Sequence, residues 1–283
     1  MTQTLTISVD AMGGDHGPAV VVPGVAKAAA ESPILRFLLH GDEAAIAAEL
    51  AKHSALKDRV DIRHAERVVA MDEKPAQALR RGKGTSMWAA IEAVKAGQAD
   101  AAVSAGNTGA LMAISLLILR MSVPVERPCL VVSWPGVKGV STVLDVGANV
   151  DCDAERLVEF AIMGEAFHRA AHGVTRPTVG LLNIGSEEMK GHEEVRQAHA
   201  ILRSNRFDLD YRGFVEGDEL SQNKTDVVVT DGFTGNIALK TAEGTARYVG
   251  GELRSALTRS VVTKFGALMA RSGLRAFSEK LSP

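Results

Sequence analysis

The sequence is poor in cysteine and in aromatic residues, and it carries almost no net charge. Its 283 residues include two cysteines, Cys129 and Cys152, and only 4% are Phe, Trp or Tyr. Two cysteines far apart in the chain do not make a disulfide framework, so we expect a reducing compartment. A formal net charge of −2 argues against the broad basic surface that nucleic-acid-binding proteins carry, and we expect no nucleic-acid partner.

The sequence also lacks a hydrophobic run long enough to cross a membrane. The most apolar run, Ala110 to Leu119, has about half of the roughly 20 residues that a spanning helix needs, and we predict a buried helix there. The N-terminus shows neither the basic start nor the long apolar stretch of a signal peptide. We therefore expect a cytoplasmic protein. Apolar residues make up 46% of the chain, which is enough for a sizeable core.

Short β-branched or apolar runs alternate with longer segments of helical spacing along the chain. This alternation predicts an α/β fold with a largely parallel sheet flanked by helices, and we predict a single α/β domain over 1–283. The predicted strands are Leu5–Val9, Leu35–Leu39, Val60–Arg63, Ala101–Val103, Leu130–Ser133, Thr142–Leu144, Val179–Leu182, Tyr211–Val215 and Val227–Val229. The predicted helices cover 18–31, 43–53, 85–97, 107–121, 153–172, 187–204 and 234–258.

Most of the predicted strands run into turns that contain Gly, Asn or Asp. In an open parallel sheet, ligands bind outside the carboxyl ends of the strands. A helix that begins at such a turn directs free N–H groups and the positive end of its dipole at the ligand. Any one of these turns is equally consistent with ordinary turn and helix-cap chemistry. As a set, they predict a site for an anionic, phosphate-like group.

Several well-known catalytic motifs are missing. The sequence has no G-x-x-x-x-G-K-[ST] phosphate loop, no G-x-G-x-x-G at a first crossover helix and no G-x-S-x-G nucleophile turn. The cysteines do not pair with histidines at zinc-binding spacing. We therefore predict no metal site, and we interpret Cys152 as a small buried residue rather than a nucleophile.

The strongest candidate for anion binding is the segment from Ser104 to Ala110. A strand of small residues leads there into two glycines and a long apolar helix. Asn107 and Thr108 offer side-chain hydrogen bonds, and the helix start offers backbone N–H groups. A polar and basic cluster lies just upstream, for which a solvated helix end with a capping residue is the alternative. Its members are Arg80, Arg81, Lys83, Thr85 and Ser86.

Two later turns carry further candidates. Lys190 follows the turn that starts at Asn183, and it could hold phosphate or polarise a carbonyl, or be an isolated exposed lysine. Asn236 stands near the start of a helix that follows the last clear strand. It could donate a hydrogen bond to an oxyanion, or it could cap that helix.

Five segments, taken in order, carry a specific resemblance. They cover 9–15, 99–110, 144–152, 179–185 and 226–236, and they read VDAMGGD, ADAAVSAGNTGA, LDVGANVDC, VGLLNIG and DVVVTDGFTGN. Through them the chain resembles the bacterial phosphate acyltransferase family (PlsX), whose members transfer a fatty acyl group from acyl carrier protein to inorganic phosphate in phospholipid synthesis. The resemblance extends over nearly the whole chain.

The resemblance implies a fold like that of isocitrate and isopropylmalate dehydrogenases and of phosphotransacetylases. It also implies a homodimer without a cofactor, whose acyl-phosphate product passes to a membrane glycerol-3-phosphate acyltransferase. Members of the family continue beyond the position of Pro283 with a Gly-rich strand and a Ser-His-Gly turn, so we expect the C-terminal part of the family domain to be missing here.

On this basis we expect catalytic roles for three residues, namely Lys190, Asn236 and Asn183. We expect substrate binding by Asp10, Gly13, Gly14, Lys83, Thr85, Ser86, Ser104, Asn107, Thr108, Gly109, Asn149 and Asp231. Arg81 and Lys83 could steer phosphate or the acidic carrier protein. Two other functions remain open, a phosphotransacetylase that uses coenzyme A and a non-catalytic protein that docks a carrier protein or a membrane.

The C-terminal stretch 261–277 is amphipathic and belongs to a helical arm that we predict over about 250–281. Val261, Phe265, Leu268 and Met269 fall on one helical face, with basic residues nearby. This face could lie in the inner surface of the membrane, or it could pack in a dimer interface or the core.

Overall fold

The computed structural model describes residues 4–121, 125–204 and 206–281, and for 278–281 it describes the backbone alone. The chain divides into two compact units, Met1–Pro128 and Cys129–Pro283. The single domain over 1–283 stays a prediction.

Unit 1 is a parallel sheet covered by helices. Its elements are β1 (Leu5–Asp10), α1 (Pro18–Glu31), β2 (Leu35–Gly41), α2 (Glu43–Leu50), β3 (Val60–His64), α3 (Pro75–Arg81), α4 (Ser86–Lys95), β4 (Ala101–Ser104) and α5 (Thr108–Leu119). The strand order is β3-β2-β1-β4, with parallel pairing throughout. Leu39, Ile46 and Ile91 are among the fully buried side chains of this unit, and each contributes about 1.5–3 kcal/mol by leaving water.

Unit 2 contains a five-stranded mixed sheet. Its elements are β5 (Val131–Gly136), β6 (Gly139–Leu144), α6 (Ala154–His172), β7 (Thr178–Leu182), α7 (Glu193–Arg203), β8 (Asp210–Val215), β9 (Val227–Val229), α8 (Gly232–Thr258), α9 (Val261–Met269) and α10 (Arg271–Leu281). The order is β5-β6-β9-β7-β8, and only the β5–β6 pair is antiparallel. Phe160 and Leu157 of α6 pack against Val227 in the core of the unit.

The predicted fold class is confirmed, and a strand lies at each of the nine predicted places. Three local features differ from the predictions. Helix α3 was not predicted. Helix α7 begins at Glu193, because Gly191, with φ of +90°, belongs to the preceding loop. The stretch 261–277 is divided between two helices at Ala270.

The apolar run in α5 is helical, as predicted, but its burial is only partial. Ala110 and Ile114 are fully buried, whereas Leu116, Leu117 and Leu119 are exposed. In α8 the buried residues are Gly232 and Gly235, so most of this long helix is open to solvent. Within the described residues, no helix is both long and apolar enough to span a membrane.

Candidate functional site

Asp10 and Ser104 lie at the centre of the polar region at the carboxyl ends of the strands of unit 1, which we call its sheet edge. They end the neighbouring strands β1 and β4 and are register partners. The Ser104 hydroxyl donates to Asp10 Oδ2 at 2.7 Å, and Met12 N donates to Asp10 Oδ1 at 3.3 Å. Gly106 N donates to Ser104 Oγ at 3.0 Å. Both side chains therefore hold the backbone of the turns that follow their strands.

The two glycines after β1 allow these turns to pack together. A Cβ at Gly13 would lie 2.7 Å from Asp10 Oδ2, 2.8 Å from Gly106 N and 2.9 Å from Ser104 Oγ, closer than a real Cβ comes. Gly14 has φ of +83°, a conformation that glycine adopts without steric cost. The 12–14 turn therefore lies directly against the 104–106 turn.

Asn107 caps helix α5 with its whole amide group. Its Oδ1 accepts from Ala110 N at 2.9 Å, and its Nδ2 donates to the carbonyls of Met71 and Glu73, each at 2.9 Å. The side chain of Asn107 is thus engaged with the protein backbone. The N–H groups of Thr108 and Gly109 lie in the first turn of α5, where a helix offers them no internal acceptor.

Thr85 and Ser86 form the start of helix α4. Thr85 Oγ1 accepts from Trp88 N at 3.2 Å and donates to Gly82 O at 2.6 Å. Ser86 is fully buried, and its Oγ has no hydrogen-bond partner within the described part of the chain. A buried hydroxyl without a partner is costly, by about 1–3 kcal/mol, and therefore needs an explanation.

The side chain of Met87 in the first turn of α4 reaches the turn before α5, because its Cε is 2.9 Å from where a Cβ of Gly106 would stand. Lys83 is exposed, and its carbonyl accepts from the Arg67 guanidinium. Arg67, Arg81 and Thr85 contribute to the wall of a cleft of 270 Å³. The structure thus brings Asp10, Gly13, Gly14 and Ser104 together at the carboxyl ends of β1 and β4, and it places Lys83 and Thr85 beside Arg67 and Gly82.

Asp145 lies at the centre of the corresponding region of unit 2, at the carboxyl end of β6. It is not among the site residues predicted from the sequence. It follows β6, is fully buried, and accepts five N–H donors. Leu130 N, Gly147 N and Ala148 N donate to Oδ1, and Asn149 donates to Oδ2 through its backbone N–H at 2.7 Å and its Nδ2 at 2.9 Å. The motif Leu144–Cys152 contained the signal, because an Asp followed by Gly and Asn is typical of such a turn.

Helix α8 begins on this Asp145 turn. Asp231 caps the helix by accepting from Thr234 N at 2.8 Å, and Gly232 N donates to Asn149 O at 2.7 Å. Asn236 is exposed in the next turn, and its Nδ2 donates to Val146 O at 3.3 Å. The structure therefore brings Asn149, Asp231 and Asn236 together.

Asn183 and Lys190 belong to one loop after β7. Asn183 Nδ2 donates to the carbonyls of Gly185 and Lys190, each at 3.1 Å. Lys190 Nζ lies 2.9 Å from Glu187 Oε1 in an exposed ion pair, and this carboxylate raises the pKa of Lys190. Asn183 therefore shapes the loop, and Lys190 is a protonated ammonium group on its surface.

The two cysteines are poor candidates for nucleophiles. Burial, with the charge of Asp145 as the next cause, raises the pKa of Cys129 to about 12 and that of Cys152 to about 11. Because the thiolate is the nucleophile, neither thiol is activated.

A second cleft lies in unit 2 and is acidic. Asp151, Glu194, Asp231 and His192 contribute to the lining of its 470 Å³. Across the ranges that the structure describes, no group of three or more His, Cys, Asp and Glu side chains could hold a metal ion.

A family model described as "Fatty acid synthesis protein" matches residues 5–283. The chain belongs to this family. A phosphate acyltransferase of Phenylobacterium zucineum is 69% identical over 283 residues, which are all of this chain and 81% of that protein. A phosphate acyltransferase of Caulobacter vibrioides is 63% identical over 283 residues, again all of this chain and 79% of that protein. The predicted resemblance to phosphate acyltransferases is confirmed, and with it an enzyme of acyl transfer.

Solved structures show the same fold at low sequence identity. A phosphotransacetylase from Streptococcus pyogenes matches with a TM-score of 0.63 at 20% identity, covering 86% of this chain and 82% of that chain. A phosphotransacetylase from Staphylococcus aureus matches with a TM-score of 0.60 at 17% identity and the same coverage. The predicted likeness to the phosphotransacetylase fold is therefore confirmed.

Proposed function

We propose that this chain transfers a fatty acyl group from the thioester of acyl carrier protein to inorganic phosphate and so makes an acyl phosphate for phospholipid synthesis. Its family, and relatives at 69% and 63% identity that are named phosphate acyltransferases, support transfer to phosphate. The carrier protein is the part that we add from the motif resemblance. We also propose a homodimer that works in the cytoplasm without a cofactor.

Two observations support the phosphate site, namely the start of helix α5 beside the glycine turn of unit 1 and the unpartnered Ser86 hydroxyl at the start of α4. Helix α5 begins at Thr108, just after Gly106, and the side chain of Met87 in the first turn of α4 reaches Gly106. Such helix starts attract anions through unpaired N–H groups and the helix dipole. We propose that phosphate accepts from the Ser86 hydroxyl and from the N–H groups of Thr108 and Gly109.

The roles of the other predicted residues in unit 1 follow from their contacts. Asp10 and Ser104 bond to each other and to N–H groups of their turns, and Asn107 bonds to backbone groups alone. We therefore propose that these three side chains shape the phosphate site rather than contact the ion. Lys83 is exposed next to Arg67, and we propose that its positive charge attracts phosphate or the acidic carrier protein.

In unit 2 we propose hydrogen-bond donors for the thioester. Asn236 uses one amide hydrogen on Val146 O, and its exposed amide keeps a second hydrogen for an oxyanion. Lys190 offers an ammonium group on the loop that Asn183 holds. We propose that Asn149 and Asp231 support these donors through the α8 start.

The reaction needs positioning and charge stabilisation more than an activated side chain. A phosphate oxygen bonds to the thioester carbon, the C–S bond breaks, and the carrier thiolate leaves and takes a proton. Phosphate is already an anion at neutral pH, so no covalent enzyme intermediate is required. Orientation of the two reactants lowers the barrier, and a donor aimed at the tetrahedral oxyanion typically contributes about 10²–10³ in rate.

Phosphate-dependent release of carrier-protein thiol tests this proposal. We expect Asn236→Ala and Lys190→Ala each to lower kcat, by about 10² for a lost oxyanion donor, and Ser86→Ala to raise the KM for phosphate. Lys240→Ala is the matched control, because Lys240 is an exposed lysine of α8 paired with Glu243, and it should leave the rate unchanged. Wild-type rates for all three site variants would contradict the assignment.

The fold neighbours favour one second function, a phosphotransacetylase that uses coenzyme A. A wild-type chain that transfers acyl groups from acetyl-coenzyme A to phosphate, but not from acyl carrier protein, would replace our proposal by this one. A chain that binds acyl carrier protein with no turnover of either thioester would instead indicate a non-catalytic docking protein.

We further propose that the arm over 250–281 contacts the inner face of the membrane, where a membrane glycerol-3-phosphate acyltransferase would take up the product. On α9, Val261 is 84% exposed, and Phe265, Leu268 and Met269 share its face and are also exposed. An exposed apolar helical face beside basic residues binds an interface between lipid and water.

Co-sedimentation with anionic phospholipid vesicles tests the arm. We expect Phe265→Glu to weaken vesicle binding, because it places a carboxylate in the apolar face. Val137→Glu is the control, since Val137 is equally apolar and 77% exposed but lies in the β5–β6 turn. Equal binding of wild type and Phe265→Glu would reject a membrane role for α9 and would favour packing against a dimer partner.

A further inference from the structure

We propose that Asp145 is a positioning residue for acyl transfer, which acts by holding Asn236 in place and does not touch the substrate. This inference rests on the proposed function, because it concerns the residue that we assign to the thioester oxyanion. It adds a residue that carries no assigned role and whose side chain is fully buried.

The carboxylate of Asp145 determines the conformation of the turn that follows it. Both oxygens are saturated, with donors from Leu130, Gly147 and Ala148 on Oδ1 and from Asn149 on Oδ2. Within the described residues, Asp145 forms no ion pair with a lysine or arginine. Its buried charge is therefore stabilised by N–H dipoles, all of which belong to this turn or to Leu130.

The turn in its own right holds the start of helix α8. Gly232 N donates to Asn149 O at 2.7 Å, and Asn236 Nδ2 donates to Val146 O at 3.3 Å. Gly235 completes the contact, because a Cβ at this position would overlap the carbonyl oxygen of Asp145. Asn236 is thus held to the turn in two ways. One amide hydrogen bonds to Val146 O, and the backbone of the helix packs closely against the turn at Gly235.

This geometry predicts that Asp145→Asn lowers kcat even for the fraction of the protein that stays folded. Asp145→Asn replaces one acceptor oxygen by an NH₂ group, which then faces two or three N–H donors and repels them. The turn must open, and the Asn236 amide moves with it. A misplacement of about 1 Å in a catalytic group can cost roughly 10² in rate.

The matched control is Asp226→Asn in the same sheet. Asp226 precedes β9, and its Oδ2 accepts from Thr178 N at 2.8 Å and from Thr178 Oγ1 at 2.7 Å. It is a structural carboxylate at the amino end of the strand, whereas Asp145 follows the carboxyl end of β6. Loss of this pair should lower the stability of unit 2 without a change in kcat for the folded fraction.

A double-mutant cycle on the full chain separates positioning from a general loss of structure. We expect Asp145→Asn to lower kcat by about 10² with the KM for phosphate changed less than about three-fold. Combined with Asn236→Ala, it should lower kcat no further than the stronger single variant, because both changes remove the same donor. Effects that multiply, or a kcat for Asp145→Asn equal to that of Asp226→Asn, would overturn the proposal.

Hydrogen exchange gives an answer that does not depend on activity. Asp145→Asn should speed exchange at 146–149 and at the first turn of α8, and Asp226→Asn should not. Equal exchange in the two variants would overturn the inference, whether or not the wild type is active. Separately, a wild type that releases no thiol would reject the proposed function. Should Asp145→Asn fail to fold, Asn149→Ala removes the 2.9 Å side-chain bond to Oδ2 but keeps the carboxylate, and it should give the same pattern in milder form.

Discussion

His40 makes the stability of unit 1 depend on pH. It lies in β2 between its register partners Asp10 of β1 and Arg63 of β3, and it is 4% exposed. Its Nε2 is 2.9 Å from Ser8 Oγ, while Nδ1 is buried with no hydrogen-bond partner in the described residues. Burial, and secondly the charge of Arg63, lower the pKa of His40 from 6.5 to about 4, against the opposing charge of Asp10.

The size and sign of the effect follow from this pKa. Between pH 6.5 and about 4, the unfolded chain binds a proton at His40 that the folded chain does not bind. The free energy of unfolding is therefore at its full value, with respect to His40, above pH 6.5, and it decreases as the pH falls through this window. A difference of about 2.5 pKa units corresponds to a loss of about 3 kcal/mol at the lower end, a large part of the 5–15 kcal/mol that typically stabilises a folded protein.

Urea unfolding of wild type and His40→Gln, followed by fluorescence at several pH values, measures this loss. Trp88 of α4 reports on the same unit. The difference in unfolding free energy between the two proteins should be constant above pH 6.5 and should change by about 3 kcal/mol towards pH 4. The exposed His64, in the next strand, provides the control variant His64→Gln, which should keep the wild-type profile. Parallel profiles for wild type and His40→Gln would refute the reasoning.

Two further predictions concern packing and thiol reactivity. Gly235→Ala should destabilise the protein by about 1–3 kcal/mol, because its Cβ would overlap the carbonyl oxygen of Asp145. Gly24→Ala, in the interior of α1 with no atom within 4 Å of the new Cβ, should stabilise it by about 0.5–1 kcal/mol, and urea unfolding that gives the same sign for both would contradict the packing argument. Cys129 and Cys152, with pKa values raised to about 12 and about 11, should react slowly with iodoacetamide near pH 8 until the chain unfolds, as mass spectrometry can show.

The strands could be predicted from the sequence because their signal is local. Val227–Val229 is buried throughout and is apolar throughout, so composition alone identifies it. Helix α3 could not be predicted in the same way, since its seven residues, Pro75–Arg81, are too few for a helical period to repeat. The break between α9 and α10 could not be predicted either, because Ala270 is neither proline nor glycine. The structure shows it in the backbone of Ala270, where φ is −86° and ψ is 6°.

The sequence could predict which turns follow the strands, but not what each side chain in those turns bonds to. Sequence patterns selected Asn107 as a phosphate ligand, whereas the structure uses its amide to cap α5 and to bind two carbonyls. An amide that binds a ligand and an amide that caps a helix stand at the same place in a strand-end turn. Asp145 was overlooked for the converse reason, because its importance arises from how the turn folds back onto its carboxylate.

The two units share one structural feature, a buried carboxylate at the end of a strand, but the charges around it differ. Each has a buried carboxylate at the end of a strand, Asp10 or Asp145, that accepts N–H groups of the turn after it. These carboxylates are engaged, so the surroundings decide which edge attracts an anion. The 270 Å³ cleft of unit 1 is lined by Arg67 and Arg81 against one carboxylate, Glu73, whereas Asp231 and other carboxylates line the 470 Å³ cleft of unit 2. Because like charges repel phosphate and opposite charges attract it, we expect phosphate at the edge of unit 1, and loss of Arg81 should weaken its binding more as the salt concentration falls.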